Sequence, residues 1–209
     1  MKKYKLTNET IVHFGFTLYR IEALMDFSDV KAGDKGGFVQ SENNLSQLCN
    51  AWVYGNAKVY DNAKVYDNSE VYGDAEVFVD AKVFVDAKVF GNASVYGNAE
   101  VFDYAKVYNN AKVCGNAKVC GDADVYGKAE VRGDAKVYKN SDYIVFKNWW
   151  SSGRYFTWTR SNKMWKVGCF YGNGEELIKK AYADSEESGR EYERVVRYVE
   201  SILADELNK

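Results

Sequence analysis

The sequence predicts a mainly β protein: short strands wound into a solenoid, a β cap in front of it and a small α+β domain behind it. Three observations carry the prediction. Fifteen valines, from Val53 through Val59 and Val65 to Val137, stand in unbroken six-residue register, and self-similarity at a short fixed period marks a stacked repeat. Beyond each valine and the residue after it lies a pair rich in Gly, Asp and Asn, such as Gly55-Asn56, Asp61-Asn62 and Gly73-Asp74; these types tolerate a left-handed backbone and make turns. Outside the register the patterning changes, which divides the chain into a cap with an irregular first coil over residues 1–48, the repeat over 49–140 and a domain over 141–209.

In the cap, "IVHFGFTLYRIEAL" alternates as a strand does, and Val39 and Leu45 are placed to begin the first coil. "AGDKGG" is rich in glycine but lacks the Lys-Ser or Lys-Thr ending of a phosphate-binding loop, so it reads as turns.

In the repeat, alanine precedes each valine by two positions, except at Ser69, and the residue between them is nearly always charged. That is in-out-in alternation, one short strand per repeat. A three-residue strand cannot bury its apolar face alone, so the corners must bring successive strands round to stack coil on coil. The segment "VYGNAK" resembles the hexapeptide repeat of left-handed parallel β-helix proteins. The resemblance implies three hexapeptides per triangular coil, a left-handed winding and five or more coils. "LYRIEALMDFSDVKAGDKGGFVQSENNLS" is similar to the N-terminal segment of phage and prophage members of that group, often labelled transferases.

With eighteen residues per coil, the residues after the valines fall into three columns. Tyr54, Tyr72, Phe90, Tyr108 and Tyr126 form one aromatic ladder; Tyr60, Phe78, Tyr96, Cys114 and Arg132 form a second, and Tyr66, Phe84, Phe102, Cys120 and Tyr138 a third. Aromatic stacking at about 0.5 to 1.5 kcal/mol per pair is a structural contribution such a narrow Val/Ala core needs. The Tyr54-to-Tyr126 edge is also a candidate oligomer contact, and the resemblance implies a homotrimer of prisms packed side by side. On the outward mid-strand positions one column reads Lys64, Lys82, Glu100, Lys118, Lys136, expected to be a solvated face that deters edge pairing.

In the domain, "YIVFKNWW", "RYFTWTR" and "MWKVGCFY" are strand-like runs separated by "SSG" and "SNK", an antiparallel meander. A helix over Glu175 to Ala183 follows, and a second is expected to start at Ser188 with Glu191 closing a capping box. Its stripe is Tyr192, Val195, Val196, Val199, Ile202 and Leu203. "SGRYFTWT", "GCFYGNGEEL" and "GREY" resemble a small C-terminal domain of the same phage proteins, although this chain inserts Gly153 and lacks the histidine that commonly follows the first helix.

Basic and acidic residues nearly balance, 28 against 30, which argues against general nucleic-acid binding. No apolar run is long enough for a membrane span or a signal peptide, so a cytoplasmic protein is expected, in the host bacterial cytoplasm if phage-encoded. Cys49, Cys114, Cys120 and Cys169 match no zinc spacing and are expected to be free, packed thiols, with Cys169 inside a strand. Acyl transfer, the activity best known on the resembled fold, needs a general base; the one histidine, His13, lies outside the repeats. No catalytic residue, metal or cofactor is therefore expected. Trp149, Trp150, Arg154, Trp158, Arg160 and Trp165 are the candidate binding residues, because tryptophan and arginine are enriched in interaction hot spots. The leading expectation is a non-catalytic phage-type interaction protein that presents the C-terminal domain to a host protein. Sequestration of a small anionic or nucleotide-like ligand is the alternative, and an acyltransferase the second.

Overall fold

The computed structural model describes residues 1–207; Asn208 and Lys209, the end of the predicted C-terminal domain, lie outside them. The cap consists of β1 (Tyr4–His13), β2 (Phe16–Ala23) and β3 (Lys35–Val39). Fifteen short strands follow among the described residues, β4 (Trp52–Val53) to β18 (Lys136–Val137), each ending on or just after a repeat valine. They form a parallel β-helix of about six coils with three sheet faces. Within the repeat each strand pairs with the one eighteen residues on, as Lys58 and Val59 do with Glu76 and Val77. The repeat alanines and valines are fully buried and fill the interior. Ser69 sits in the alanine column because its hydroxyl donates to Tyr66 O at 2.8 Å, with Val83 O 3.0 Å away.

Each corner requires one left-handed residue. From Gly55 to Gly133 every sixth residue has φ between +58° and +74°. Glycine, Asp or Asn fills these positions except at Val79 and Val85, where a β-branched side chain is a conformational outlier.

The front end is closed by the β1–β2 hairpin and β3, which runs antiparallel to β2 and parallel to the Lys58–Val59 strand. Val39 pairs with Val59 and Leu45 bridges to Val65, so the first coil is two residues longer than the rest. Trp52 stands where every other repeat but the one with Ser94 carries a charge; it is buried and packs edge-on against Tyr4 and Phe27 at 6.1 and 5.3 Å. The reading of "AGDKGG" as turns holds for Ala32-Gly33, with Gly33 at φ +93°, and is corrected for its second half: Lys35–Val39 is strand. A Cβ on Gly36 would lie 2.5 Å from Val53 O, and one on Gly37 2.6 Å from Ala57 O, so these glycines allow the cap's backbone to approach the coil closely.

At the far end the last coil would leave three strand N–H groups without acceptors. Asp124 N donates to Asn140 Oδ1 at 2.7 Å, Glu130 N to Thr157 Oγ1 at 2.9 Å and Lys136 N to Ser161 Oγ at 2.6 Å. Side chains thus replace the missing coil and blunt the sheet edge.

The C-terminal sheet is an antiparallel meander, β19 (Tyr143–Lys147), β20 (Tyr155–Thr159), β21 (Met164–Val167) and β22 (Phe170–Gly172). The expected third strand is therefore two, joined at Gly168-Cys169 with Gly168 at φ +53°. Cys169 is exposed in this turn and Cys49 is exposed too, so neither is the packed thiol expected; Cys114 and Cys120 are buried. Helix α1 (Gly174–Asp184) is capped by Asn173, whose side chain accepts from Glu176 N. Helix α2 (Glu186–Leu207) starts before Ser188. Ser185 Oγ accepts from Ser188 N at 3.1 Å, and Glu191 pairs with Arg194 instead of closing a box. Val196 and Val199 pack with Phe156, Trp158, Trp165, Val167, Leu177 and Ile178 in a second core. No helix among the described residues is long and apolar enough to cross a membrane.

Candidate functional site

The six predicted binding residues do not form one cluster. Strand alternation on β20 and β21 turns Trp158 and Trp165 inward, directly opposite one another in register, and each is 2% exposed. Arg160 is held at the rim by a two-pronged pair with Glu206 at 2.6 and 3.3 Å and by Ser141 O at 3.3 Å. These three are parts of the domain's architecture.

Trp149, Trp150 and Arg154 belong to the loop between β19 and β20. Buried Asn148 shapes this loop: its Oδ1 accepts from Trp150 N at 3.1 Å and Ser151 N at 2.9 Å, its Nδ2 donates to Ser151 Oγ at 2.9 Å, and its N–H donates to Arg154 O at 2.7 Å. Gly153, at φ +65°, supplies the left-handed residue. Trp150 leans edge-on against Tyr192 at 5.9 Å and at a tilt of 53° against Phe156 at 6.0 Å, and its buried Nε1 has no hydrogen-bond partner. Trp149 stands 80% exposed, edge-on to Trp150 at 5.9 Å. The loop thus presents a projecting indole backed by a second ring. Asn148 was missed at the sequence level, although Asn ahead of a Ser-Ser-Gly turn is a turn signal.

Arg154 is exposed and lines two hollows. One, of about 200 Å³, is bounded by Cys169, Phe170, Leu177 and Tyr192; the other, of about 160 Å³, lies on the seam with the last coil, beside Lys128, Glu130 and Lys166.

On the rod, the predicted ladder edge is mostly stacked. Ring centroids are 4.7 Å apart for Tyr72 and Phe90, 4.8 Å for Phe90 and Tyr108, and 5.4 Å for Tyr108 and Tyr126. Tyr54 leaves the stack, lying at 89° to Tyr72 with its hydroxyl donating to Asp29 Oδ1 at 2.8 Å; burial and then Asp29 raise its pKa. The middle rings are half-buried by their neighbours, and Tyr126 is 49% exposed. In the lysine column Glu100 bridges Lys118 at 2.6 Å and Lys82 at 3.4 Å, and Lys118 leads in lowering its carboxyl pKa. The column is ion-paired along its centre, not a continuous basic stripe.

His13 is outside the repeats in sequence but against them in space. Its Nε2 lies 3.1 Å from Glu76 Oε1, unaligned for a hydrogen bond, and its ring meets Tyr60 edge-on at 5.5 Å. The hairpin carries it there by packing Ile11, Phe16 and Leu18 against Tyr60 and Phe78. Among the described residues no group of three or more His, Cys, Asp or Glu is placed to hold a metal ion. No protein-family model matches the chain, and no curated protein matches it.

Proposed function

We propose that this is a non-catalytic interaction protein of the phage hexapeptide-repeat type. Its rod of coils supports a C-terminal domain that docks onto a host protein in the bacterial cytoplasm. The observation that carries the reading is the contrast between two sets of aromatic rings. Most ladder rings of the rod, Tyr72 to Tyr108 among them, are stacked on one another within the coils, whereas Trp149 projects from a loop braced by Asn148, with Trp150 behind it. Tryptophan is among the residue types most enriched at interface hot spots. The exposed Tyr126 and the half-buried rings before it support side-by-side association into a homotrimer.

The test is capture from bacterial lysate followed by native mass spectrometry, comparing the protein with Trp149→Ala, Trp150→Ala and the double variant Lys64→Glu with Lys118→Glu. The tryptophan variants should each weaken a specific partner by about 1 to 3 kcal/mol with little change in Tm. Loss confined to the lysine double variant would make the rod the reader and reverse the assignment. Sedimentation at micromolar concentration checks the trimer; a monomer of 23.7 kDa would contradict it.

A further inference from the structure

Three cationic residues, Lys128, Arg154 and Lys166, line the hollow of about 160 Å³ at the seam between the last coil and the C-terminal domain. Lys128 occupies a corner position that is Asn or Asp at Asn110, Asn116, Asp122 and Asp134. Its ammonium lies 5.2 Å from the centre of the Tyr155 ring. Arg154 also lines the hollow, its side chain running past Gly168. Neither has a carboxylate partner among the described residues. Lys166 is 8% exposed; its Nζ lies 3.2 Å from Glu130 Oε2 and donates to Gly168 O.

One carboxylate against three cations leaves the hollow with two net positive charges. Like charges gathered in a partly enclosed space repel one another more strongly than in open water, so the arrangement is stabilised by whatever anion enters. Donors dominate the lining. An ammonium carries three N–H groups, of which Lys166 commits two, and Thr157 Oγ1 already accepts from Glu130 N, leaving its proton for another acceptor. The volume is well below the roughly 300 Å³ at which drug-sized ligand pockets begin, so it suits one small group.

We propose that this seam binds a doubly charged oxyanion, either inorganic phosphate or the phosphate of a phosphomonoester, between Lys128, Arg154 and Lys166. Arg154 and Gly168 also line the neighbouring hollow, where Phe170, Leu177 and Tyr192 offer apolar walls to the organic part of an ester. Because one cation comes from the rod and two from the domain, the bound anion also fastens the two together. The site is independent of the protein-docking reading, since Trp149 does not line it.

The full-length protein is titrated calorimetrically with inorganic phosphate and with phenyl phosphate at low salt. Saturable binding is expected, weakened by at least about tenfold in Lys128→Gln and in Arg154→Gln, the loss of one charge-assisted contact, and strengthened in Glu130→Gln. Phenyl phosphate binding tighter than phosphate identifies an ester site; equal affinity identifies free phosphate. Trp149→Ala should bind both as the parent protein does. The proposal is overturned if neither anion saturates the protein, or if both folded glutamine variants bind with parental affinity.

Discussion

Replacing Val79 by Asn should make the protein more stable, although it deletes an apolar side chain from a solenoid. Val79 has φ +63°, where Cβ crowds the carbonyl at a cost of about 1 to 2 kcal/mol for an ordinary L-residue, and branching at Cβ adds to it. Asparagine tolerates this conformation. The side chain is only half-buried and stands in register with Gly97 on the next coil, so about 1 kcal/mol or less of apolar burial opposes the change. The net expectation is a gain of about 1 kcal/mol, or a rise in Tm of roughly 2 to 4 °C for a domain of this size. Val79→Gly should gain less, because glycine also loosens the unfolded chain by about 0.4 to 1 kcal/mol. Urea unfolding reads the effect as a higher midpoint at unchanged slope. The reverse substitution, Gly97→Val, is the control: its Cβ would meet Gly115 N at 3.0 Å, and it should destabilise. A Val79→Asn protein less stable than the parent, together with a tolerated Gly97→Val, would refute the corner argument.

Phe90→Ala removes two ring stacks, at 4.7 and 4.8 Å, and should cost about 1 to 3 kcal/mol, with Phe90→Tyr close to neutral; a loss that depended on protein concentration would reassign the ladder to a subunit contact. Stability should peak between about pH 8 and 10. Burial lowers the Lys3 ammonium from 10.5 to about 8, so above pH 8 the unfolded chain binds the extra proton and stability rises. Burial raises the Tyr96 and Tyr143 phenols from 10.0 to about 12, so their contribution is complete below pH 10 and lost as pH climbs toward 12. Urea midpoints against pH give the curve, and Lys3→Met should flatten its rising limb. Thiol titration of the native protein should count two fast groups, Cys49 and Cys169, and two that react only on unfolding, Cys114 and Cys120; four fast thiols would mean that the last coils open readily.

The solenoid was legible because one physical requirement recurs at every repeat. A narrow interior holds Ala and Val at every repeat but Ser69, and a tight corner holds Gly, Asp or Asn at all but Val79 and Val85, so the period is written at nearly every position. The errors fall where tertiary contact overrides local pattern. Gly36 and Gly37 look like turn residues but are glycine because another backbone passes close by, and Ser188 looks like a cap but lies inside a helix begun at Glu186, donating its N–H to Ser185 Oγ. "VGCF" carried a usable signal, glycine opening a two-residue hairpin turn. The candidate site was legible only in part. Both faces of β20 are covered, Phe156 and Trp158 by the domain core and Thr157 by the last coil, so its composition alone could not separate core tryptophans from surface ones. The seam hollow joins Lys128 to Lys166 across a domain junction, and no local pattern encodes that meeting.

The central claim, a supporting rod and a reading domain, is tested most directly by hydrogen exchange of the full-length protein with and without its captured partner. New protection is expected at residues 147–155, around Trp149 and Trp150, with the coil faces unchanged. Protection running instead along the Lys64-to-Lys136 face, with residues 147–155 unaffected, would contradict it.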